Sequence, residues 1–468
     1  MKTIAIYHQT KAIAVLLAII FNYSCSQKQD ITGQWNGVLM NMRLVFHINK
    51  TGDGYTSTMD SPDQGASGLA VATTKFDGSK LSITMPNIGL TYEGEFKTDS
   101  VVGIFKQGAL SLPMTLKRTV EKPKPLVRPQ EPKPPYPYIS EDITFENKSE
   151  RITLAGTLTM PATGSNFTAV ILISGSGQQD RNEEMLGHKP FLVIADYLTR
   201  NGIAVLRYDD RGTAQSTGNF HTANLLDFAV DAESAIAYLK TRKEINPLKI
   251  GLMGHSEGGE VAPMVTVLTN DVDFIVILAG SGIRGYSLAL LQQELLLRTS
   301  GASEDEIAKA LKISSEVINM IAKAMKPLSQ KKITDFIKTN LKDEIAGIIP
   351  EGMTEDDFIK MVAKRYSSPY MQYLLNYDPA PVLERVKCPV LAVTGSMDLQ
   401  VPPKENLTAI SAALKKGGNH NVTVKEYPGL NHLFQKCTTG SMDEYAIIEE
   451  TFSPEVLNDI TEWIINNK

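Results

Sequence analysis

The feature that most constrains this chain is the stretch KIGLMGHSEGG at residues 249–259. A short apolar run leads into a full Gly-x-Ser-x-Gly pattern centred on Ser256, and a helix-like run follows it. A strand that turns into a helix within about four residues strains the backbone of the serine and lifts its hydroxyl clear of the sheet. Side chains at Gly254 and Gly258 would collide with the flanking strand and helix. We therefore expect a nucleophile elbow built from Gly254, His255, Ser256 and Gly258.

Strands and helices alternate on both sides of this turn. Continuous apolar runs are typical of strands covered on both faces of a sheet. Four such runs lie at residues 169–173, 203–208, 274–278 and 389–394, and helical patterns at 192–201 and 224–241 separate the earlier ones. This alternation indicates an α/β domain over 141–468, with a mostly parallel sheet and crossover helices. Four helical patterns without strands interrupt it, so we expect a helical cap at about 283–378.

A serine nucleophile needs a base, and the base needs an orienting acid. In a parallel sheet these partners come from loops at the edge where the nucleophile lies, after later strands. Asp398 follows the strand at 389–394, and His432 follows the last predicted strand at 422–427. The chain order Ser256, Asp398, His432 differs from the orders of other serine hydrolases. We therefore predict these three residues as a catalytic triad.

The developing oxyanion needs two hydrogen-bond donors. The backbone N–H of Glu257, directly after the nucleophile, is one predicted donor. The second is the backbone N–H of Ser176, in the SGSG segment at 174–177 that ends a buried strand. A phosphate-cradling glycine loop is the competing interpretation, but the third glycine of a dinucleotide fingerprint is missing. We therefore expect no cofactor.

Several other polar residues near these loops have structural explanations. His255 adjoins Ser256, but neighbours on such a turn point apart, which favours a packing role. His188 and His221 lie in loops and could line the pocket, although loop histidines usually do not. The DDR run at 209–211 ends a strand, and we expect a structural ion pair of Asp209 and Asp210 with Arg211.

The residues before the α/β domain form two further segments. Short strand-like runs and turns at near-even spacing over 30–118 indicate a small antiparallel β barrel or sandwich, interpreted as an accessory module. The segment at 119–140 is dense in proline, which favours a semi-rigid extended linker.

The N-terminus is predicted to be an export signal over residues 1–25. Lys2 and Lys11 precede an apolar core of about ten residues, which is too short to span a bilayer. The segment ends in a small residue before Cys25, which resembles a bacterial lipoprotein signal apart from Asn22, where an aliphatic residue is usual. We expect an exported protein held on a membrane only through a lipid on Cys25, or, as the alternative, a free secreted protein.

Composition excludes several classes of function. Lys and Arg total 47 against 52 Asp and Glu, and no basic block of the kind that nucleic acid demands is present. The sequence has no HExxH motif and no cysteine/histidine cluster, so it offers no support for a metal-dependent hydrolase.

Five segments carry a resemblance to a known family: SGSGQQDRNE (174–183), RYDDRG (207–212), GHSEGG (254–259), GSMDLQVP (395–402) and LNHLFQ (430–435). They resemble bacterial α/β-hydrolases described as serine esterases or serine aminopeptidase-like proteins, over about residues 141–468. The resemblance implies Ser256 as nucleophile, His432 as base and Asp398 as acid. Ser174 departs from the family pattern, since a histidine often precedes the oxyanion glycine there.

These observations favour an exported serine esterase that cleaves a small-molecule ester through an acyl-enzyme. Three alternatives stay open. A serine peptidase would use the same triad, with Glu257 or Glu260 binding an amino terminus, although both could be solvated acids at a helix start. An acyltransferase would exclude water, and a binding protein would not use the triad.

Overall fold

The computed structural model describes residues 30–39, 42–52, 54–61, 66–107, 110–119, 127–324, 326–346, 348–349 and 354–466. The predicted signal segment at 1–25, with Cys25, lies outside these residues. Within the described part, none of the helices has both the length and the apolar character that crossing a membrane requires. The described strands form two separate sheets, one of nine strands and one of eight.

The N-terminal sheet closes into an antiparallel barrel of eight strands, with a ninth short strand paired alongside. Its strands are β1 (Gly33–Leu39), β2 (Met42–Thr51), β3 (Gly54–Ser61), β4 (Ala66–Ala70), β5 (Thr73–Phe76), β6 (Lys80–Met85), β7 (Leu90–Lys97), β8 (Ser100–Gln107) and β9 (Leu110–Thr119). Their order is β2-β1-β9-β8-β7-β6-β5-β3-β4, and a β2–β3 pairing completes the ring. Of the two predicted architectures, barrel and sandwich, the barrel is the one observed.

Side chains fill the inside of the barrel. Buried and exposed positions alternate along β6 and β7, as expected of strands with one face inward. Trp35, Phe46, Tyr92 and Phe105 are almost wholly buried in this core. The same apolar cluster continues into the cap helices through residues such as Val317. The barrel is therefore a packed unit whose core is continuous with that of the cap.

The second sheet is mixed. Its strands are β10 (Tyr138–Asn147), β11 (Ile152–Pro161), β12 (Phe167–Ile173), β13 (Ala204–Tyr208), β14 (Ile245–His255), β15 (Phe274–Leu278), β16 (Val390–Gly395) and β17 (Val422–Tyr427). The order is β10-β11-β13-β12-β14-β15-β16-β17. An antiparallel pair, β10 and β11, forms one edge, and β12 to β17 are parallel. The carboxyl ends of the parallel strands therefore meet at one edge.

Helices cover both faces of this sheet and extend beyond one edge. The helices are α1 (Pro190–Arg200), α2 (Leu225–Leu239), α3 (Gly258–Leu268), α4 (Gly285–Thr299), α5 (Glu304–Ala322), α6 (Gln330–Asn340), α7 (Lys342–Ile345), α8 (Glu355–Ser367), α9 (Pro369–Asn376), α10 (Ala380–Leu383), α11 (Pro403–Lys416) and α12 (Pro454–Asn466). One face packs on α2, α3 and α11, and the other on α1 and α12. Helices α4 to α10 lie between β15 and β16, where the sequence predicts the cap.

Part of the predicted linker lies against the second domain. Arg128 donates hydrogen bonds to the carbonyls of Leu186, Gly187 and Ala446 at 3.0–3.2 Å. The side chain of Gln130 donates to the carbonyl of Phe452 at 2.6 Å and accepts from the N–H groups of two residues on the same loop. The segment 127–137, called the strap below, is therefore anchored along the domain surface.

Candidate active site

The chain forms a sharp elbow at Ser256, between β14 and α3. Ser256 has a φ of 51°, in the left-handed region that non-glycine residues seldom adopt. A β-carbon on Gly254 would lie 1.9 Å from the carbonyl oxygen of Gly258, and one on Gly258 would lie 2.1 Å from that of Ile173. The N–H of Ser256 donates to the carbonyl of Leu278 at 2.8 Å. Glycine at 254 and 258 thus permits the strained turn that holds the half-buried serine.

Asp398 and His432 meet at the same edge of the sheet. Asp398 lies in the turn after β16, and its Oδ1 accepts hydrogen bonds from the N–H groups of Gln400 and Val401, both at 2.8 Å. Its Oδ2 lies 2.7 Å from Nδ1 of His432, in the loop after β17. Both side chains are almost fully buried. The hydrogen bonds therefore fix the carboxylate and, through it, the plane of the imidazole.

His255 brings the His432 loop against the elbow. Nε2 of His255 donates to the backbone carbonyl of His432 at 3.1 Å, and the two ring centroids are 4.9 Å apart. The hydrogen bonds of the described residues include none between the Ser256 hydroxyl and His432. Catalytic hydrogen bonds often tighten only when substrate is bound. The packing role predicted for His255 matches these contacts.

The loop at 174–177, called the oxyanion loop below, passes beside the nucleophile. A β-carbon on Gly175 would lie 3.3 Å from the β-carbon of Ser256, so the two backbones are close. Ser176, the next residue, is exposed to solvent at the mouth of the site. The N–H groups of Ser176 and Glu257 stay the predicted oxyanion donors.

Two acidic residues behind the nucleophile are buried. The carboxyl of Glu257 accepts a hydrogen bond from the hydroxyl of Tyr370 on cap helix α9. Burial raises the pKa of Glu257 to about 7, although this hydrogen bond opposes the rise. Burial, with Glu257 nearby, raises the pKa of Glu260 well above its usual range, and Oε2 of Glu260 has no hydrogen-bond partner among the described residues. The interpretation of both as solvated acids is therefore wrong.

A cavity of about 520 Å³ lies under the cap, within the size range of small-molecule pockets. Tyr370 and Tyr373 line it from α9 and Tyr377 from the residue after that helix, while Asn224, the N-cap of α2, and Ile321 of α5 contribute from the other sides. The rings of Tyr373 and Tyr377 stack with their centroids 6.3 Å apart. Because Tyr370 contacts both this cavity and Glu257, the aromatic wall connects the cap to the elbow.

The ion pair predicted within residues 209–211 is wrong. Arg211 is directed towards α2, where Nε lies 2.7 Å from Oδ2 of Asp231. Asp209 instead pairs with Arg181 at 2.7 Å. Asp210 accepts a hydrogen bond from the N–H of Gln179 at 2.9 Å, and burial raises its pKa well above its usual range. Successive side chains at the end of a strand face different elements, which explains the separate partners.

Neither loop histidine lines the cavity. His188 is fully buried, with Nδ1 at 2.9 Å from the Thr451 hydroxyl and Nε2 at 2.8 Å from the carbonyl of Tyr445. Burial lowers the pKa of His188 to about 4, so the ring is neutral at physiological pH. His221 is exposed and contacts Phe220 edge-on. Both therefore have surroundings that the fold alone explains.

Glu183, to which the sequence gives no predicted role, has its carboxylate behind the elbow. Its Oε1 accepts a hydrogen bond from the N–H of Gly175 at 2.7 Å and lies 2.9 Å from Nδ1 of His255. No periodicity or spacing indicates the contact with His255, which is 72 residues away in the chain. Within the described ranges, no group of three histidine, cysteine or acidic residues is arranged to hold a metal ion.

Parts of this sequence are similar to a protein-family model and to known proteins. The family model described as BAAT / Acyl-CoA thioester hydrolase C terminal matches residues 232–437. The esterase EstD of Thermotoga maritima is 25% identical over 323 residues, which cover 69% of this chain and 68% of that protein. The uncharacterized protein YfhR of Escherichia coli is 30% identical over 125 residues, covering 27% of this chain and 41% of that protein.

Two solved structures illustrate the structural similarity. An esterase of Pyrococcus furiosus, Pf2001, aligns with 15% identity and a TM-score of 0.41, covering 70% of this chain and 93% of that chain. Proline iminopeptidase of Mycobacterium smegmatis aligns with 14% identity and a TM-score of 0.41, covering 70% and 98%.

Proposed function

We propose that this chain, whose second domain has the α/β-hydrolase fold, hydrolyses carboxylic esters through Ser256, His432 and Asp398. Ester or thioester hydrolysis is the activity to which the matching family model and the curated esterase both point. The observation that carries the assignment of residues is the contact between Asp398 and His432 at 2.7 Å, in a loop that His255, the neighbour of Ser256, holds against the elbow. A strained serine next to an oriented imidazole is the arrangement that activates a hydroxyl for attack on a carbonyl.

In the proposed reaction, Nε2 of His432 takes the proton of Ser256 as its oxygen attacks the ester carbonyl. Asp398 stabilises the imidazolium that forms and keeps Nε2 directed at the reacting atoms. The imidazolium then protonates the leaving alcohol, which leaves an acyl group on Ser256. Water, deprotonated by His432, releases the acid in the second half of the cycle.

The backbone N–H groups of Glu257 and Ser176 donate to the oxyanion in both halves of this reaction. The close approach of Gly175 to Ser256 supports the assignment, since it brings the oxyanion loop beside the attacking oxygen. The lining of the cap cavity includes none of the three catalytic residues, but Tyr370 joins it to Glu257, the residue after the nucleophile, so we assign the cavity to the acyl or alcohol part of the substrate. Its tyrosine lining suits an aromatic or otherwise bulky apolar group.

The cellular location is part of the same proposal and rests on sequence alone. The signal at 1–25 exports the protein, and lipidation of Cys25 tethers it to a membrane. The test is labelling with a radioactive fatty acid in a bacterial host, with a Cys25→Ala variant beside it. Label that persists in the variant, or that is absent from both proteins, would contradict the tether.

The enzymatic test uses purified protein without residues 1–25. It is assayed on nitrophenyl esters of graded acyl length, on an acyl thioester and on aminoacyl arylamides, together with Ser256→Ala. We expect ester turnover in the parent and its loss in the variant. Arylamide turnover above ester turnover would favour a peptidase instead. No turnover, together with no labelling of Ser256 by a fluorophosphonate, would exclude a serine hydrolase.

A further inference from the structure

The segment QQDRNE at 178–183 contributes no group to the proposed reaction, yet its side chains contact several elements around the active site. Nε and one terminal nitrogen of Arg181 bond to the two carboxylate oxygens of Asp209, at 3.0 and 2.7 Å. Asp180 accepts hydrogen bonds from the N–H groups of Asn182 and Glu184 at 3.0 and 3.1 Å. These bonds hold the turn at 180–184 against the end of β13.

The turn fixes the direction of one side chain. Glu183 has a φ of 51°, and backbone strain of this kind persists only where the surroundings determine it. Its N–H donates to the carbonyl of Asp180 at 2.9 Å, and the side chain of the preceding residue, Asn182, accepts a hydrogen bond from Arg207. The Glu183 carboxylate is 98% buried and points to the back of the elbow.

This carboxylate joins three loops that come from distant parts of the chain. Oε1 of Glu183 accepts from the N–H of Gly175, in the oxyanion loop, and contacts Nδ1 of His255, in the elbow. The other ring nitrogen of His255 donates to the backbone carbonyl of His432. The continuous path is thus the oxyanion loop, Glu183, His255 and the backbone of the predicted catalytic base.

The positions of the protons on His255 require a carboxyl group at residue 183. A backbone carbonyl only accepts hydrogen bonds, so Nε2 of His255 must carry a proton. Nδ1 then either donates to a Glu183 carboxylate or accepts from a protonated Glu183. Burial by itself lowers the pKa of His255, but the charge of Glu183 and the bond to it outweigh burial and raise that pKa overall. In either arrangement the contact uses a carboxyl group at residue 183, which shares a proton with Nδ1 while the same oxygen accepts from the N–H of Gly175.

We propose that Glu183 is a positioning residue: through one carboxylate oxygen and the ring of His255 it sets the oxyanion loop, the elbow and the His432 loop relative to one another. The inference rests on the proposed function, because only an oxyanion makes the position of the loop matter. An amide at this position cannot replace the carboxylate. A glutamine oxygen that accepts from Gly175 has neither a charge nor a proton to share with Nδ1 of His255, and a glutamine NH₂ group turned to Nδ1 would face the N–H of Gly175.

The test is steady-state kinetics of the full mature chain on nitrophenyl acetate for Glu183→Gln, His255→Gln and the double variant. We expect kcat to fall about 10- to 100-fold in each single variant, since loss of one oxyanion donor costs about 100- to 1000-fold. KM should stay within about twofold. The double variant should be no slower than the worse single one, because both act through one contact.

A second measurement, the affinity of an inhibitor, reports on oxyanion binding alone. An aryl trifluoromethyl ketone adds to the active serine and places an oxyanion in the same position. Its affinity should weaken in Glu183→Gln by the factor that kcat loses. Asp231→Asn is the matched control, because Asp231 is an equally buried, ion-paired carboxylate. It should lower the melting temperature and leave both kcat and the inhibitor affinity within about twofold.

Fluorophosphonate labelling and kcat together distinguish a failure of the proposed function from a failure of the role proposed for Glu183. If a fluorophosphonate does not label Ser256 in the parent chain, the proposed function fails. If it labels the parent, and Glu183→Gln folds with the parent's labelling rate and kcat, Glu183 is not a positioning residue. Additive losses in the double variant would also overturn the inference. If Glu183→Gln does not fold, His255→Gln decides by the same two measurements.

Discussion

At the scale of single residues, the site depends on carboxyl groups that differ in their surroundings. Asp398 accepts two backbone N–H bonds and contacts His432, whereas Glu257 has one hydroxyl partner and a raised pKa. The two backbone bonds fix the direction of the Asp398 carboxylate, whereas burial with a single donor favours the protonated form of Glu257. The two acids therefore suit different roles, orientation of the imidazole and contact with the cap.

The substitution Asp398→Asn tests whether Asp398 orients the imidazole of His432. An asparagine keeps the shape of the side chain but can present its NH₂ group to Nδ1, which favours the wrong tautomer of His432. We expect kcat on nitrophenyl acetate to fall about 1000- to 10,000-fold with little change in melting temperature. Steady-state kinetics and circular dichroism check this. A fall below tenfold would argue for another acid.

The substitution Glu257→Gln tests the buried Glu257 carboxyl through the pH dependence of stability. The pKa of Glu257 rises from 4.5 to about 7 on folding, so its stabilising contribution is complete below pH 4.5 and is lost as pH rises through 7. Glutamine does not titrate. The stability of the variant relative to the parent should therefore increase from pH 5 to pH 8, by about 1–3 kcal/mol.

Melting temperatures of both proteins at pH 5, 6, 7 and 8 measure this difference. Glu260 and Asp210 also have raised pKa values, so the parent alone does not isolate Glu257. A difference between the two proteins that stays constant with pH would show that Glu257 does not titrate in this range.

At the scale of elements, the sequence predicts the strands of the α/β domain well because their apolar runs are continuous. The predicted strand at 274–278 coincides with β15 (Phe274–Leu278), and the one at 389–394 coincides with β16 (Val390–Gly395) within one residue. None of the four helical patterns predicted for the cap covers α9, a short helix whose start is marked only by Ser368 as its cap and by Pro369. The contact of Tyr370 with Glu257 spans 113 residues and has no local sequence signal.

The tyrosines of α9 should control which acyl group fits. Tyr373→Ala removes a ring from the cavity wall, and no described hydrogen bond depends on that ring. We expect kcat/KM for a bulky aromatic ester to rise about tenfold relative to the acetyl ester, since contacts of this size contribute about 1–3 kcal/mol. The control is Tyr286→Ala, an exposed tyrosine on the neighbouring cap helix α4. Equal effects of both variants would show that the cavity does not bind the acyl group.

At the scale of the whole molecule, the barrel has a packed core of its own, which continues into the cap, and the strap follows it in the chain. Composition alone predicts an extended linker at 119–140, because proline density indicates stiffness and carries no information on what the segment touches. The contacts of Arg128 and Gln130 show that part of it is fixed to the α/β domain at two loops, near residues 186–187 and 446–452.

The strap should therefore stabilise the α/β domain without the barrel. A chain that begins at residue 127 keeps both anchors, and one that begins at 138 loses them while retaining β10. We expect the shorter chain to melt about 5–10 °C lower, because several hydrogen bonds from a charged guanidinium and an amide are lost together. Arg128→Ala in the longer chain should reproduce part of this decrease, whereas Lys133→Ala, an exposed change in the same segment, should not. Equal melting temperatures for the chains that begin at 127 and 138 would show that the strap lies on the surface without stabilising it.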